Sequence, residues 1–263
     1  MINTIRVGAL AYLTSDNITA AHCFTTRLGG VSEGYLAAMN IGTHRGDKPE
    51  NVIENYRILG RAIGFAPEKA VLTKQTHTDI VLTVGEKEQG AGLFAPRLPP
   101  CDGLITCTPG TALVVFTADC TPILLHDPVT GAVGAVHAGW RGTAAAIGAK
   151  AVEAMCREFG CKAENIRAAI GPNIAHCCFE TDGDVPEAMR KQYGKAAESH
   201  IRSVGNKYYV NLKEINALSL RNLGVESIAV SPLCTACRGD LFWSHRRMGT
   251  TRGSQGAIIV CKE

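Results

Sequence analysis

Apolar residues return along this chain at two different periods, and stretches of one period interleave with stretches of the other. After Pro49, Ile53, Tyr56, Leu59 and Ile63 recur at three- and four-residue steps before Gly64, which predicts a helix with a proline in its first turn and a glycine stop. The same logic predicts a helix from about residue 142 to 159, where Ile147, Val152, Met155 and Phe159 share a side and Gly160 follows. A third helix is expected from Asn211 to Leu223, capped by Asn211 and ended by Gly224. Residues 19–26 and 70–84 read as strands, the first followed by a turn at Gly29-Gly30 and the second rich in β-branched side chains. In the central third, residues 111–116, 123–125, 132–137 and 166–170 are nearly unbroken apolar runs bounded by Gly, Pro or Asp, as in strands covered on both faces. Pro96, Pro99 and Pro100 mark an extended loop, not a linker, because composition hardly changes across them. The expectation is one domain over residues 1–263 with an α/β (α+β) fold, mixed β-sheets packed together with flanking helices.

Composition narrows the setting. At 263 residues and 46% hydrophobic, the chain can bury a large core. A formal charge of +3 with no run of five basic residues argues against nucleic acid as a partner. The opening Met1-Ile2-Asn3-Thr4-Ile5-Arg6-Val7 lacks the basic-then-apolar order of a signal peptide, and no apolar stretch is long enough to span a bilayer, so a cytoplasmic location is expected. Eleven cysteines is an odd number in a chain too long to need stapling, so most should be free thiols. Cys23, Cys107, Cys156 and Cys261 sit in apolar runs and read as small buried hydrophobes.

Three residues stand apart from that background. His77 lies in Gln75-Thr76-His77-Thr78-Asp79, Cys120 in Thr117-Ala118-Asp119-Cys120, and His137 in Val136-His137-Ala138-Gly139-Trp140-Arg141-Gly142. Two imidazoles and a thiolate with one vacant position make the ligand composition of a catalytic zinc site. Asp79, two residues from His77 on an expected strand, would share its face and could orient the ring. The Pro122 break after Cys120 should expose its sulfur. Beyond His137, the glycines and Arg141 at a helix start suggest an anion corner suited to phosphate.

These segments resemble the bacterial polyphenol oxidase, or laccase-domain, family. The resemblance is carried by Phe24-Thr25-Thr26-Arg27-Leu28-Gly29-Gly30-Val31-Ser32, Met39-Asn40-Ile41-Gly42, Gln75-Thr76-His77, Thr117 to Cys120, His137 to Gly142, and Gly171-Pro172 with Cys178-Phe179-Glu180. Phe242-Trp243-Ser244-His245-Arg246-Arg247 is similar to the family's ending, with His245 where a tyrosine is common and Thr251-Arg252 where Gly-Arg is usual. The resemblance implies that His77, Cys120 and His137 are zinc ligands. It also implies a purine nucleoside enzyme: phosphorolysis of adenosine, inosine and methylthioadenosine, with adenosine deamination beside it. The expected partners are therefore a small-molecule nucleoside and phosphate, with the protein a monomer or weak homodimer. Phosphate held by Arg141 and Arg27 would attack C1′ as the base departs, and Asp119 is the candidate proton carrier. Asn40 and Gln75 are candidate substrate contacts.

Other chemistries use the same residues differently. Polyphenol oxidation with copper needs more imidazoles than eight scattered histidines supply, and no Met lies between Cys120 and Ala154 as a blue-copper axial ligand, so copper would bind adventitiously. Cys120 and His137 could instead form the nucleophile and base of a cysteine hydrolase or deamidase. Cys234-Thr235-Ala236-Cys237 could be half of a metal site or a redox pair; with His77-Thr78-Asp79 it partly matches the zinc cytidine deaminases, whose glutamate and proline are replaced here by Asp79 and Leu233. A nucleotide-binding module with a structural zinc would need a fourth ligand, for which Cys178 and His126 are the candidates.

Overall fold

Strands apolar on both faces need cover on both sides, and a computed structural model, which describes residues 1–262, provides it in four layers. The chain enters as β1 (Ile2–Val7), β2 (Leu10–Ser15) and β3 (His22–Thr25), then passes through α1 (Pro49–Ile63). It continues as β4 (Ala70–Leu72), β5 (Val81–Thr83), β6 (Gly103–Thr106), β7 (Ala112–Thr117), β8 (Thr121–His126) and β9 (Val133–Ala138). There follow α2 (Trp140–Ala144), α3 (Ile147–Phe159), β10 (Arg167–Ile170), β11 (Glu180–Thr181) and α4 (Asp184–Tyr193). The last elements are β12 (Ile201–Val204), β13 (Lys207–Val210), α5 (Leu212–Arg221), β14 (Ser227–Val230), α6 (His245–Met248) and β15 (Gln255–Val260).

One six-stranded sheet has the order β1-β2-β3-β15-β7-β4, another β14-β10-β8-β9-β6-β5, and a small sheet β11-β13-β12. The pairs β4–β7, β5–β6 and β10–β14 are parallel and their other neighbours antiparallel, so both large sheets are mixed, as the apolar pattern predicts. Alternation along each strand sorts side chains between layers. Leu113, Val115, Ala257 and Ile259 meet Leu104, Leu124 and Ala135 of the facing sheet in the central core. Their neighbours Val114 and Ile258 point the other way, to Val52, Tyr56 and Leu59 of α1. On the far side, Ile123, Leu125 and Val136 pack against Ile147, Val152 and Met155 of α3 and Leu220 of α5. Among the described residues, no helix is long and apolar enough to cross a membrane.

The expected helices form with the expected stops: Gly64 and Gly160 both cap in the left-handed region, and Asn211 accepts the Glu214 N–H. Three expectations change. Residues 70–84 are not one strand, because β4 and β5 belong to different sheets and residues 73–80 are the crossover between them. The helix expected over 142–159 is broken between α2 and α3 at Ala146, whose φ is +55°. Cys107 is exposed and Cys156 half-buried, whereas Cys23 and Cys261 are buried; all eleven cysteines are free.

His126, at the far end of β8, is buried and its Nδ1 has no partner. Burial, with Arg167 nearby, pushes its pKa down to about 4. The unfolded chain takes up this proton near the ordinary histidine value, so stability is full above about pH 6.5 and declines toward pH 4, by about 3 kcal/mol for such a shift. Denaturant midpoints at pH 7 and pH 5 should therefore differ less for His126→Gln than for the wild type; equal differences would remove His126 from the acid response.

Candidate metal centre

Sheet register brings two of the three ligand candidates together. Pro122 pairs with His137 and Thr121 with Ala138, so Cys120 and Gly139 lie one step beyond the end of the β8–β9 ladder. His77 arrives from the 73–80 crossover. Its Nε2 is 3.9 Å from Cys120 Sγ, and its ring meets that of His137 edge-on with centroids 5.0 Å apart. One donor atom from each residue lies within 4.8 Å of the other two. A tetrahedral ion about 2.1 Å from nitrogen and 2.3 Å from sulfur would set the N–S separation near 3.6 Å, so the trio fits one ion with little adjustment. Gly139 keeps the space open: a Cβ there would stand 2.9 Å from His77 Cδ2 and 3.4 Å from Cys120 Sγ.

Asp102 organises this trio, and the sequence reading missed it. The carboxylate is fully buried and accepts five donors. Oδ1 accepts the His77 N–H at 3.1 Å and bonds His137 Nδ1 at 2.8 Å, while Oδ2 accepts the N–H groups of Thr76 and Thr78 and the Thr78 hydroxyl at 3.1, 2.8 and 2.9 Å. Three successive amides wrapped on one carboxylate hold the crossover and support the left-handed φ of +60° at His77. With Nδ1 of His137 engaged, Nε2 is left for an ion. Asp79 does not take this part: residues 73–80 are no strand, so the two-residue facing rule does not apply, and Asp79 pairs with Lys150. Desolvation opposes the charge on Asp102, but the bond to His137 and the crossover amides overcome it and hold the carboxyl at about 2.

Cys120 and His137 polarise each other. Burial disfavours charge on both; their mutual attraction, assisted by Asp102 and His77, prevails, so Cys120 is drawn to about 6 and His137 pushed up to about 9. A thiol already biased toward thiolate is a ready ligand for a cation.

Asp119 sits beside Cys120 at a left-handed φ of +90°. Its Oδ1 accepts the Thr235 hydroxyl at 2.6 Å; its Oδ2 accepts the Ser244 hydroxyl at 3.0 Å and the Arg246 N–H at 2.6 Å. These bonds support the turn that presents the Cys120 sulfur and tie it to the C-terminal segment. Gln75 bridges to Phe116 through both its amide groups. Asn40 is buried, with its side chain bonded to Gly42, Asp47 and the Ser254 N–H.

A cleft of about 500 Å³ opens over the trio, with Gln75 and Asp119 in its wall. The structure does not bring Arg27 or Arg141 to it. Arg27 stacks 3.9 Å over Trp243 and bonds the carbonyls of Ala37 and Gly239, and Arg141 lies exposed over Trp140. The expected anion corner therefore lacks its arginine, and α2 spans only five residues. The cleft's cations come from elsewhere. Arg252 lines it while 9% exposed, with Nε unpartnered. Arg45, Arg97 and Arg246 stand around it, and Phe116, Phe179 and Trp140 offer half-buried rings. Burial lowers Arg252 to about 10, which leaves it charged at neutral pH. Neither Cys178 nor His126 joins the trio; among the described residues the only sets of three or more metal-ligating groups whose donor atoms all lie within 4.8 Å of one another are these three and a separate set of four cysteines.

The family model described as multi-copper polyphenol oxidoreductase laccase matches residues 21–262. A Bacteroides thetaiotaomicron protein named purine nucleoside phosphorylase is 37% identical over 238 residues, covering 89% of this chain and 88% of that one. Escherichia coli YfiH, of the same name, is 37% identical over 232 residues, 88% and 90% of the two chains. The crystal structure of YlmD from Geobacillus stearothermophilus superposes with a TM-score of 0.92 at 34% identity over 99% of each chain.

Proposed function

The chain belongs to the multi-copper polyphenol oxidoreductase laccase family, and from that premise we propose that it is a zinc-dependent purine nucleoside phosphorylase. The observation that carries this reading is a two-histidine, one-cysteine centre opening onto a cleft that also holds a buried, incompletely bonded arginine and several aromatic rings. The family description names several coppers, yet only one cluster of metal-ligating groups among the described residues contains histidine. That arrangement does not supply a type-1 copper and a trinuclear cluster together.

His77, Cys120 and His137 hold the ion, and zinc there supplies a Lewis acid for charge that develops in the reaction. The remaining steps belong to protein side chains. Phe116, Phe179 and Trp140 offer flat apolar faces to a purine. Arg252, with Arg45 and Arg97 near it, holds phosphate through charge-assisted hydrogen bonds. A phosphate oxygen bonds to C1′ as the bond from C1′ to the base nitrogen breaks; the base leaves with that electron pair and takes up a proton, and ribose 1-phosphate remains. Asp119 positions Cys120 in this reading, because three donors already occupy its carboxylate. The substrates are adenosine, inosine and methylthioadenosine, with deamination of adenosine as an accompanying activity in the cytoplasm, the protein acting as a monomer or weak homodimer.

The purified protein given adenosine or inosine with phosphate should release free base and ribose 1-phosphate in equal amounts, and no base without phosphate or arsenate. Base release indifferent to phosphate, or none from any purine nucleoside, would refute the phosphorylase reading. Arg252→Ala should raise the KM for phosphate about 10- to 100-fold, the size of one lost hydrogen bond to a charged group. An unchanged phosphate KM would move the anion to other arginines.

A further inference from the structure

We propose that Cys177, Cys178, Cys234 and Cys237 form a second metal site, a closed tetrathiolate site for a structural zinc ion, distinct from the His77–Cys120–His137 centre. The Sγ atoms of Cys177 and Cys178 are 3.7 Å apart, those of Cys177 and Cys237 3.7 Å, and those of Cys178 and Cys237 3.4 Å. All four sulfurs lie within 4.8 Å of one another. A tetrahedron of sulfurs about 2.3 Å from a central zinc has edges near 3.8 Å, so the cluster is already close to the shape the ion requires. It leaves room for one ion and none for the inorganic sulfides of an iron–sulfur cluster.

The ligands come as two pairs on two loops. Cys177 and Cys178 follow β10; Cys234 and Cys237, spaced by two residues, follow β14, the strand that pairs with β10 in parallel. The loops are in register before any ion enters. Asn173 bridges Cys234, the Thr235 N–H donates to the Asn173 carbonyl at 2.9 Å, and the Ala175 N–H donates to Cys234 Sγ at 3.3 Å. An amide directed at sulfur favours the thiolate that a metal needs.

Charge around the cluster supplies an independent argument. Four thiolates on a divalent ion carry a net charge of −2. Lys213 is 4% exposed and donates from Nζ to the carbonyls of Ser231 and Leu233, immediately before Cys234, at 2.8 and 2.6 Å. It makes no ion pair with a carboxylate among the described residues, and a buried ammonium so placed is costly without a nearby anion. Arg246 and Arg247 donate to the carbonyls of Cys178 and Ala236 at 2.9 and 3.2 Å, so both cysteine loops are braced by cations. A tetrathiolate zinc is the anion this surround lacks. Binding releases the thiol protons to solvent and involves no electron transfer.

The site has four protein ligands and no open position, so its role is to clip two loops together. Both loops serve the cleft: Thr235, between Cys234 and Cys237, donates to Asp119 beside Cys120, while Ile174 and Phe179 of the other loop line the cleft wall.

Metal analysis of the full chain, purified reduced and without chelator, tests this without reference to turnover. The wild type should carry two zinc ions, Cys234→Ser/Cys237→Ser one, and His77→Ala/His137→Ala one. Cobalt loaded into the histidine variant should show the intense visible bands of a tetrathiolate site, a readout that stands even if the cysteine variant fails to fold. Alkylation with mass analysis should find the four cysteines protected until a strong chelator is added. The proposal is overturned if the histidine variant binds no metal and gives no such cobalt spectrum, or if the four cysteines are alkylated at once or recovered as disulfides. Failure here leaves the phosphorylase reading intact, since that reading rests on phosphate-dependent base release.

Discussion

Cys120→Ala should empty the three-ligand centre and lower phosphorolysis by at least about 10³-fold, because Lewis-acid stabilisation is worth several kcal/mol and each 1.4 kcal/mol is a factor of ten. The thiolate is the only anionic ligand of the trio, and two imidazoles hold a divalent ion far less firmly without it. Zinc content should fall by one equivalent while circular dichroism and the denaturant midpoint change modestly, since the side chain is half-buried at the rim of the cleft. The experiment also separates metal ligand from nucleophile. If Cys120 attacked substrate directly, stripping the metal from the wild type would leave activity in place and iodoacetamide would abolish it. In the ligand role, a chelator abolishes activity and zinc restores it. Full activity in Cys120→Ala would end the metal-centre reading altogether.

Asp102→Asn should be costly for both the site and the fold. An amide offers one acceptor oxygen where the carboxylate offers two, and its NH₂ must face the amides of Thr76 and Thr78 or the ring nitrogen of His137. Loss of such a partner typically lowers metal affinity 10- to 100-fold, and leaving buried donors unpaired costs about 2–5 kcal/mol. Zinc competition and a denaturant titration measure the two effects separately. Because Asp102 is held at about 2, its ionised form stabilises the fold fully above about pH 4, and that contribution fades as pH drops through 2. The wild type should therefore lose about 2 kcal/mol over this interval that the asparagine variant has already lost. Identical acid profiles would show that the carboxylate contributes nothing.

Helix limits were legible from the sequence because their signals are local: Pro49 at a first turn, Gly64 and Gly160 at stops, Asn211 at a cap. The central strands were legible because both faces are covered. The 73–80 crossover was not, since β-branched residues flank it on both sides and nothing local says that β4 and β5 part into different sheets. The break at Ala146 hides in a run of alanines that favours helix. In the site, His77, Cys120 and His137 declare themselves by residue type. Asp102 does not: its partners lie 24 to 35 residues away, and its only local mark is a carboxylate before an apolar strand. Arg141 drew notice through its glycine-rich turn and Arg27 through a segment that carries the family resemblance, whereas Arg252, which lines the cleft, owes its place to the fold of the C-terminal segment.

The order of the first sheet sets the timetable of biosynthesis. β15, which is made after every other strand of this sheet, occupies a central slot between β3 and β7. Until it is made, those two strands present open edges with apolar flanks, the kind of surface that recruits a second nascent chain or a chaperone. Closure of that gap also delivers Ser244 and Arg246 to Asp119, so a polypeptide cut before β15 would lose the middle of the sheet and the bracing of the cleft wall together.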